Sequence, residues 1–188
     1  MSSGRFAFHR HITLALLLVL VSCRGDGLPD VVSPEDAVKT FYDWRIASRM
    51  TGAPTREQLA SMRPYISSEL HTLLAEARAI HERDLGRAPG EKPAFAEGDL
   101  FSSLFEGPTS FTTSDVESMG DEHVVPVRFV YGAKTPAVNW IDRVRVVQEN
   151  GAYVVADIDY GNHWSFGPKG SLVQSLRRAT SNSGKRRA

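Results

Sequence analysis

The sequence predicts an α+β domain in which helices come first and an antiparallel sheet follows. Three observations carry that reading. Apolar residues recur at helical spacing between Ala37 and Ile80. Beyond Pro108 the hydrophobic period changes to two. Asn150-Gly151 stands between two alternating runs, the strongest short hairpin signal in the chain. Helical runs followed by strand runs indicate α+β architecture.

The elements follow in order. Ser33-Pro34-Glu35-Asp36 combines an N-cap serine, a proline at the first helical position and acids in the first turn. Ala37, Val38, Phe41, Trp44 and Ala47 then predict a helix to about Arg49, and Thr51-Gly52-Ala53-Pro54 breaks it. Thr55-Arg56-Glu57-Gln58 resembles a capping box opening a short helix through Met62. A third helix starts at Ser67 or Ser68, buries Leu70, Leu73, Leu74, Ala77 and Ile80, and can close at Gly86. Pro and Gly punctuate a loop over 87–98, and Asp99 to Phe105 reads as one or two further helical turns. Strands are expected near 110–119, 123–131, 140–148 and 152–160, with Pro126 pushing the second towards a sheet edge or a bulge. A two-residue turn at 150–151 sets Gln148 opposite Tyr153, Val146 opposite Val155, Val144 opposite Asp157 and Asp142 opposite Asp159. A last helix is expected over 171–179.

Composition narrows the class. The chain has 188 residues, with 22 basic and 22 acidic side chains and one cysteine. One cysteine excludes a disulfide framework, a Cys-rich zinc site and an iron–sulfur cluster within the monomer. Charge balance argues against a bulk nucleic-acid binder.

Residues 1–11 carry Arg5, Arg10 and no acid, and Ile12 to Val21 is a ten-residue apolar run with one hydroxyl. As a helix that run rises about 15 Å, half of a ~30 Å hydrocarbon core, so it reads as a secretory signal rather than a membrane span. Leu20-Val21-Ser22-Cys23 follows directly and resembles the lipobox of bacterial lipoproteins. The resemblance implies diacylglycerol on the Cys23 thiol, with Cys23 as the first mature residue. The alternative is an ordinary signal peptide with a chance cysteine. Anchoring by more than one acyl chain is firm. Arg24 stands where an Asp would resemble an inner-membrane retention signal, which favours the outer membrane. The organisation is then a signal peptide (1–22), a lipidated tether (23–32), an α+β domain (33–179) and a basic flexible tail (180–188). Residues 23–176 carry 15 bases against 22 acids, while Arg177, Arg178, Lys185, Arg186 and Arg187 follow without an acid.

Three stretches carry a further resemblance. They are Pro34-Glu35-Asp36-Ala37-Val38 with Phe41-Tyr42, Arg63-Pro64-Tyr65-Ile66-Ser67, and Glu97-Gly98-Asp99-Leu100-Phe101-Ser102-Ser103-Leu104-Phe105. With the strand pair from Trp140-Ile141-Asp142 to Val154-Val155-Ala156-Asp157-Ile158, they resemble an uncharacterised family of bacterial envelope lipoproteins. That family is similar to the nuclear-transport-factor-2-like superfamily. The resemblance implies a curved antiparallel sheet wrapped around helices as a cone with a pocket. It implies no reaction, because fold and activity are separable.

Few motifs in the chain carry chemistry. His71, His81, His123 and His163 show no HxxxH or HExxH spacing, and GxGxxG, GxxxxGK[ST] and GxSxG are absent. No metal or cofactor is expected. The carboxylates are the candidates. In the inferred register Asp142, Asp157 and Asp159 share a face, and two like charges facing each other would raise one pKa. The competing reading is a water-facing sheet end with a base such as Arg128 nearby. Asp99 is the first choice for a pocket carboxylate, with helix capping as its competing role. Tyr42, Trp44, Trp140, Tyr160 and Trp164 line a cavity, cover a partner or fill the core. The Gly161-Asn162-His163-Trp164 segment is read as exposed.

These features point to a non-enzymatic, membrane-anchored periplasmic lipoprotein that binds a protein partner or a small ligand. The pocket candidates are Asp99, Asp157, Tyr42, Trp44, Trp140 and Tyr160, and nucleic acid is not expected. Two alternatives stand beside it. One is a small pocket enzyme using Asp99 or Asp157 for proton transfer; the other is an immunity-type or accessory subunit of another envelope protein.

Overall fold

The computed structural model describes residues 33–87, 92–161, 164 and 167–185. The signal peptide, the tether with Cys23 and Arg24, Asn162-His163 and residues 186–188 lie outside the described residues. The elements are α1 (Pro34–Ser48), α2 (Arg56–Met62), α3 (Ser68–Arg87), β1 (Ser110–Thr113), β2 (Glu117–Met119), β3 (Glu122–Tyr131), β4 (Val138–Glu149), β5 (Ala152–Asp159) and α4 (Leu172–Lys185).

α1 begins as its sequence dictates. Ser33 is extended, its hydroxyl accepts the Asp36 amide at 3.1 Å, and Pro34 occupies the first turn. Ala37, Val38, Phe41, Tyr42 and Arg45 form the buried face. Thr55 closes a reciprocal capping box on α2, with Gln58 N–H to Thr55 Oγ1 at 3.2 Å and Thr55 N–H to Gln58 Oε1 at 2.8 Å. Thr55→Ala is expected to cost about 1 kcal/mol, read as a lower urea midpoint at unchanged slope. For α3 the cap is Ser67, whose hydroxyl accepts the Leu70 amide at 3.1 Å, while Ser68 donates N–H and O–H to the Glu149 carboxylate. α3 runs through Gly86 to Arg87, because an exposed glycine in a last turn weakens a helix without ending it. His81 is half-buried, and its Nδ1 lies 2.9 Å from the Ala94 carbonyl, tying the following loop to α3.

The sheet is open and antiparallel in the order β1-β3-β4-β5, with β2 pairing β3 as well. The single strand expected over 110–119 is two strands, which use the same edge of β3 in succession. Pro126 explains the break, and the expectation of an edge position for its strand is corrected. β3 is interior, but Pro126 sits where β1 ends. Its carbonyl accepts the Ser114 amide at 2.9 Å, and it has no N–H to return, so the β1 ladder stops there.

Asn150 and Gly151 have φ of 51° and 83°, the double left-handed turn that an Asn-Gly pair favours. Gln148 faces Tyr153 and Val146 faces Val155 as expected, but a bulge follows. Beyond it Arg145 faces Asp157, Val144 faces Ile158 and Arg143 faces Asp159, so neither Val144–Asp157 nor Asp142–Asp159 is a pair. The cause is one extra residue on β5, Ala156, which lets both Val155 and Ile158 point inward against strict alternation. Val155 is also held from its free side, giving its N–H to the Tyr65 carbonyl and accepting from Ser67 N–H.

α1 lies across β1, β3, β4 and β5, and α4 packs on α3 and β5. Between α1 and the sheet the interior is filled by Phe41, Tyr42, Phe101, Phe129 and the valines of β3 and β4. The Tyr42 ring stands 4.8 Å from Phe129 and 5.0 Å from Phe41, both edge-on. α4 starts one residue after Ser171 and continues past the expected end at Ala179 to Lys185.

Candidate functional site

The stretch 99–105 forms no helix. It is an irregular segment that is nevertheless buried, with Phe101, Ser102, Ser103 and Leu104 all inside. Irregular backbone can lie at depth only if its polar groups are paired. Two aspartates supply the pairing. Asp99 opens the segment; its Oδ1 accepts the Phe101 amide at 3.0 Å and Arg45 Nη2 at 2.6 Å, and its own N–H closes the loop on the Phe105 carbonyl at 2.8 Å. The expected capping role is therefore half right: the side chain takes a nearby amide, but in a turn rather than a helix. Gly98 and Gly107, with φ of 86° and 75°, bend the chain at the two ends.

Asp142 is the second clamp. It projects from β4 into the interior with no solvent exposure. It accepts the Ser103 amide at 2.8 Å, the Ser103 hydroxyl, the Trp140 indole N–H at 3.0 Å and the Gly161 amide at 2.9 Å. Burial pushes its pKa up, and the four donors pull against that shift. Tyr42 and Tyr160 complete the frame, donating to the Phe101 and Leu100 carbonyls at 2.8 and 2.7 Å. Burial holds both phenols well above their usual range, and the Asp142 and Asp99 charges reinforce it.

The structure thus brings Asp99, Tyr42, Trp140 and Tyr160 around one buried segment. Two expected pocket residues are elsewhere. Asp157 accepts the Ile158 and Val173 amides at 2.8 and 2.9 Å and so caps the start of α4. Trp44 packs on Phe41 and Tyr65. The expected Asp142–Asp159 dyad does not form, since Asp159 is half-buried and held by Arg145 Nε at 2.8 Å, the role assigned above to Arg128. Arg45 and Ser103 were not among the expected residues. Arg45 carried a signal, because a basic residue on the stripe of Val38, Phe41 and Tyr42 needs a buried partner.

Chemically, Asp142 is saturated and enclosed, which suits a structural anchor. Asp99 differs, for its Oδ2 is buried and accepts no hydrogen bond among the described groups. On the outer side of the segment lies a cleft of about 200 Å³ that includes Asp99, Phe105 and Tyr160 in its wall. Shallower clefts of about 340 and 540 Å³ lie beside the β4–β5 turn and the β2–β3 turn. Among the described residues no three His, Cys, Asp or Glu side chains are grouped to hold a metal ion, and no helix is long and apolar enough to cross a membrane.

The fold and site define a class: an α+β domain in which helices cover one face of an open antiparallel sheet and two buried aspartates pin an irregular segment between them. The chain is similar to the uncharacterized lipoprotein YbjP of Escherichia coli (strain K12), at 26% identity over 144 residues, covering 76% of this chain and 75% of that protein. No family model matches the chain, and no solved structure matches it.

Proposed function

We propose that this protein is a bacterial envelope lipoprotein, anchored through Cys23 and facing the periplasm, whose α+β domain is a non-enzymatic binding module for a protein partner or a small ligand. The observation that carries the anchor is Leu20-Val21-Ser22-Cys23 placed directly after the apolar run, in a chain similar to a protein named as a lipoprotein. Arg24 after the cysteine favours the outer membrane. A nuclear-transport-factor-2-like ancestry belongs to the same proposal and rests on helices preceding a meandering antiparallel sheet.

Binding is favoured over proton transfer by how the carboxylates are used. Asp142 spends both oxygens on Ser103, Trp140 and Gly161, Asp157 uses its Oδ1 to cap α4, and the buried Asp99 is paired with Arg45, so each carboxylate has a structural task. The space between α1 and the sheet is occupied by the protein's own aromatic side chains, which directs recognition to the surface and the side clefts.

Two measurements test the proposal. Cys23→Ser is expected to abolish acyl labelling and membrane retention, and unchanged labelling with palmitate would refute the anchor. Native mass spectrometry of the protein released gently from its own membranes is expected to show a reproducible bound mass. A bare chain throughout would refute the binding module.

A further inference from the structure

The 200 Å³ cleft combines features that no structural task accounts for. It opens between the 95–105 loop and the start of α4, and its walls include Phe95, Phe105, Tyr160 and Leu172 together with Glu97 and Asp99. Phe105 is 54% exposed, an unusual cost for a phenylalanine, and its ring lies over Gly98, where an added Cβ would meet it at 2.6 Å. Phe95 is held at φ 56°, a conformation that L side chains rarely adopt. It is locked there by Ala53 N–H on its carbonyl at 2.8 Å, and from the same break after α1 Gly52 N–H holds the Gly98 carbonyl at 2.7 Å. A bulky residue kept in strained backbone beside a cleft is a feature of ligand clamps.

The charge is one-sided. Both ionisable side chains of the wall other than Tyr160 are carboxylates, and no described wall residue is basic. Arg45 neutralises the buried Asp99 from α1, which leaves Glu97 as the exposed carboxylate of the wall, and Arg178 donates to the Lys169 carbonyl and the Ser175 hydroxyl. Lys92 pairs with Glu97 at 2.8 Å, but both are 62% exposed, and such a pair is weak and screened. Aromatic faces beside a carboxylate attract organic cations. An apolar cavity of about 150 Å³ takes up benzene, so this one accommodates a ring or short chain with a charged head.

We infer that the cleft between the 95–105 loop and α4 binds a small organic ammonium ion, its apolar part against Phe105 and Leu172 and its charge compensated by Glu97. The inference rests on the binding-module reading and gives that module a ligand class.

The test is isothermal titration of the processed full chain, purified from membranes in a non-ionic detergent, with phenylethylammonium and with its neutral counterpart 2-phenylethanol. The ammonium is expected to bind about tenfold more tightly than the alcohol. Phe105→Ala should weaken it about fivefold by removing one exposed aromatic face, and Glu97→Gln about threefold. Both sites are exposed enough to leave the fold intact, and Ser175→Phe, which fills the cleft from α4, should abolish binding. Equal affinity for the alcohol, no saturable heat with the ammonium, or indifference to Phe105→Ala and Ser175→Phe would each overturn the inference. If phenylethylammonium fails while native mass spectrometry still shows a bound species, the ligand class falls and the binding module stands.

Discussion

Asp142→Asn is expected to destabilise the domain by about 3 kcal/mol, a large share of the 5–15 kcal/mol typical of a whole domain. The carboxylate accepts four donors: two from Ser103, one from Trp140 and one from Gly161. An amide of the same shape replaces one acceptor oxygen with an NH2 group. Whichever way it turns, that NH2 faces either the Ser103 hydroxyl and the Gly161 amide or the Ser103 amide and the Trp140 indole. The hydroxyl can rotate to accept; an amide or indole N–H cannot. At least one buried donor is stranded at about 1–3 kcal/mol, and the loop loses its charge-assisted anchor besides. The pH dependence has a definite sign. Burial raises the Asp142 pKa above the ordinary 3.8. Its titration therefore contributes stability that is complete below that ordinary value and is lost as pH rises through the raised one. Glu35, Glu57 and Glu117 have lowered pKa values and act in the opposite sense. The diagnostic quantity is thus the difference in urea midpoint between wild type and Asp142→Asn, which should shrink from pH 4 to pH 7. A difference that grows with pH would mean that the four donors outweigh burial.

The helices and the hairpin were legible in the sequence because their causes are local. Ser33-Pro34, the Thr55–Gln58 box and Asn150-Gly151 each specify backbone geometry within four residues, and each forms as its chemistry demands. What was illegible depends on distant partners. The apolar 99–105 stretch has the composition of a helical turn, but the carboxylates of Asp99 and, from β4, Asp142 take its amides before a helix can use them. The bulge at Ala156 follows from the need to bury Val155 and Ile158 together while Tyr65 and Ser67 hold β5 from outside. A strict two-residue period cannot foresee it, and that one-residue slip turned the expected Asp142–Asp159 pair into residues with separate roles.

Asp99, Tyr42, Trp140 and Tyr160 were named as pocket candidates alongside Asp157 and Trp44 through residue type and motif, without any view of what they would hold. Their tasks became clear only with the buried loop in place, since each makes a hydrogen bond to that segment or to the aspartate that clamps it.

Arg45→Met is expected to cost about 3–5 kcal/mol, because it leaves the buried Asp99 carboxylate without its counter-charge. The pair is enclosed, with Arg45 and Asp99 side chains 8% and 1% exposed and 2.6 Å apart. Methionine preserves most of the stem volume, so the loss reports charge rather than packing. The alternative, that Arg45 matters only as filler between α1 and Phe101, is separated by a second substitution. Asn at position 99 still offers an oxygen to the Phe101 amide but carries no charge, so Arg45→Met with Asp99→Asn should be clearly more stable than Arg45→Met alone. Urea unfolding of the two single variants and the double gives a coupling energy, expected at about 2 kcal/mol or more for neighbours in one buried network. Additive losses would show that the loop is held by Asp142 and its hydrophobic side chains without help from the ion pair. The pair also reaches the surface. Asp99 closes on the Phe105 carbonyl and stands in the wall of the cleft, so Arg45→Met should loosen the Phe105 rim and weaken phenylethylammonium binding at a temperature where the rest of the fold survives. A variant that lost stability yet bound the ammonium unchanged would divorce the buried clamp from the recognition surface it is argued to shape.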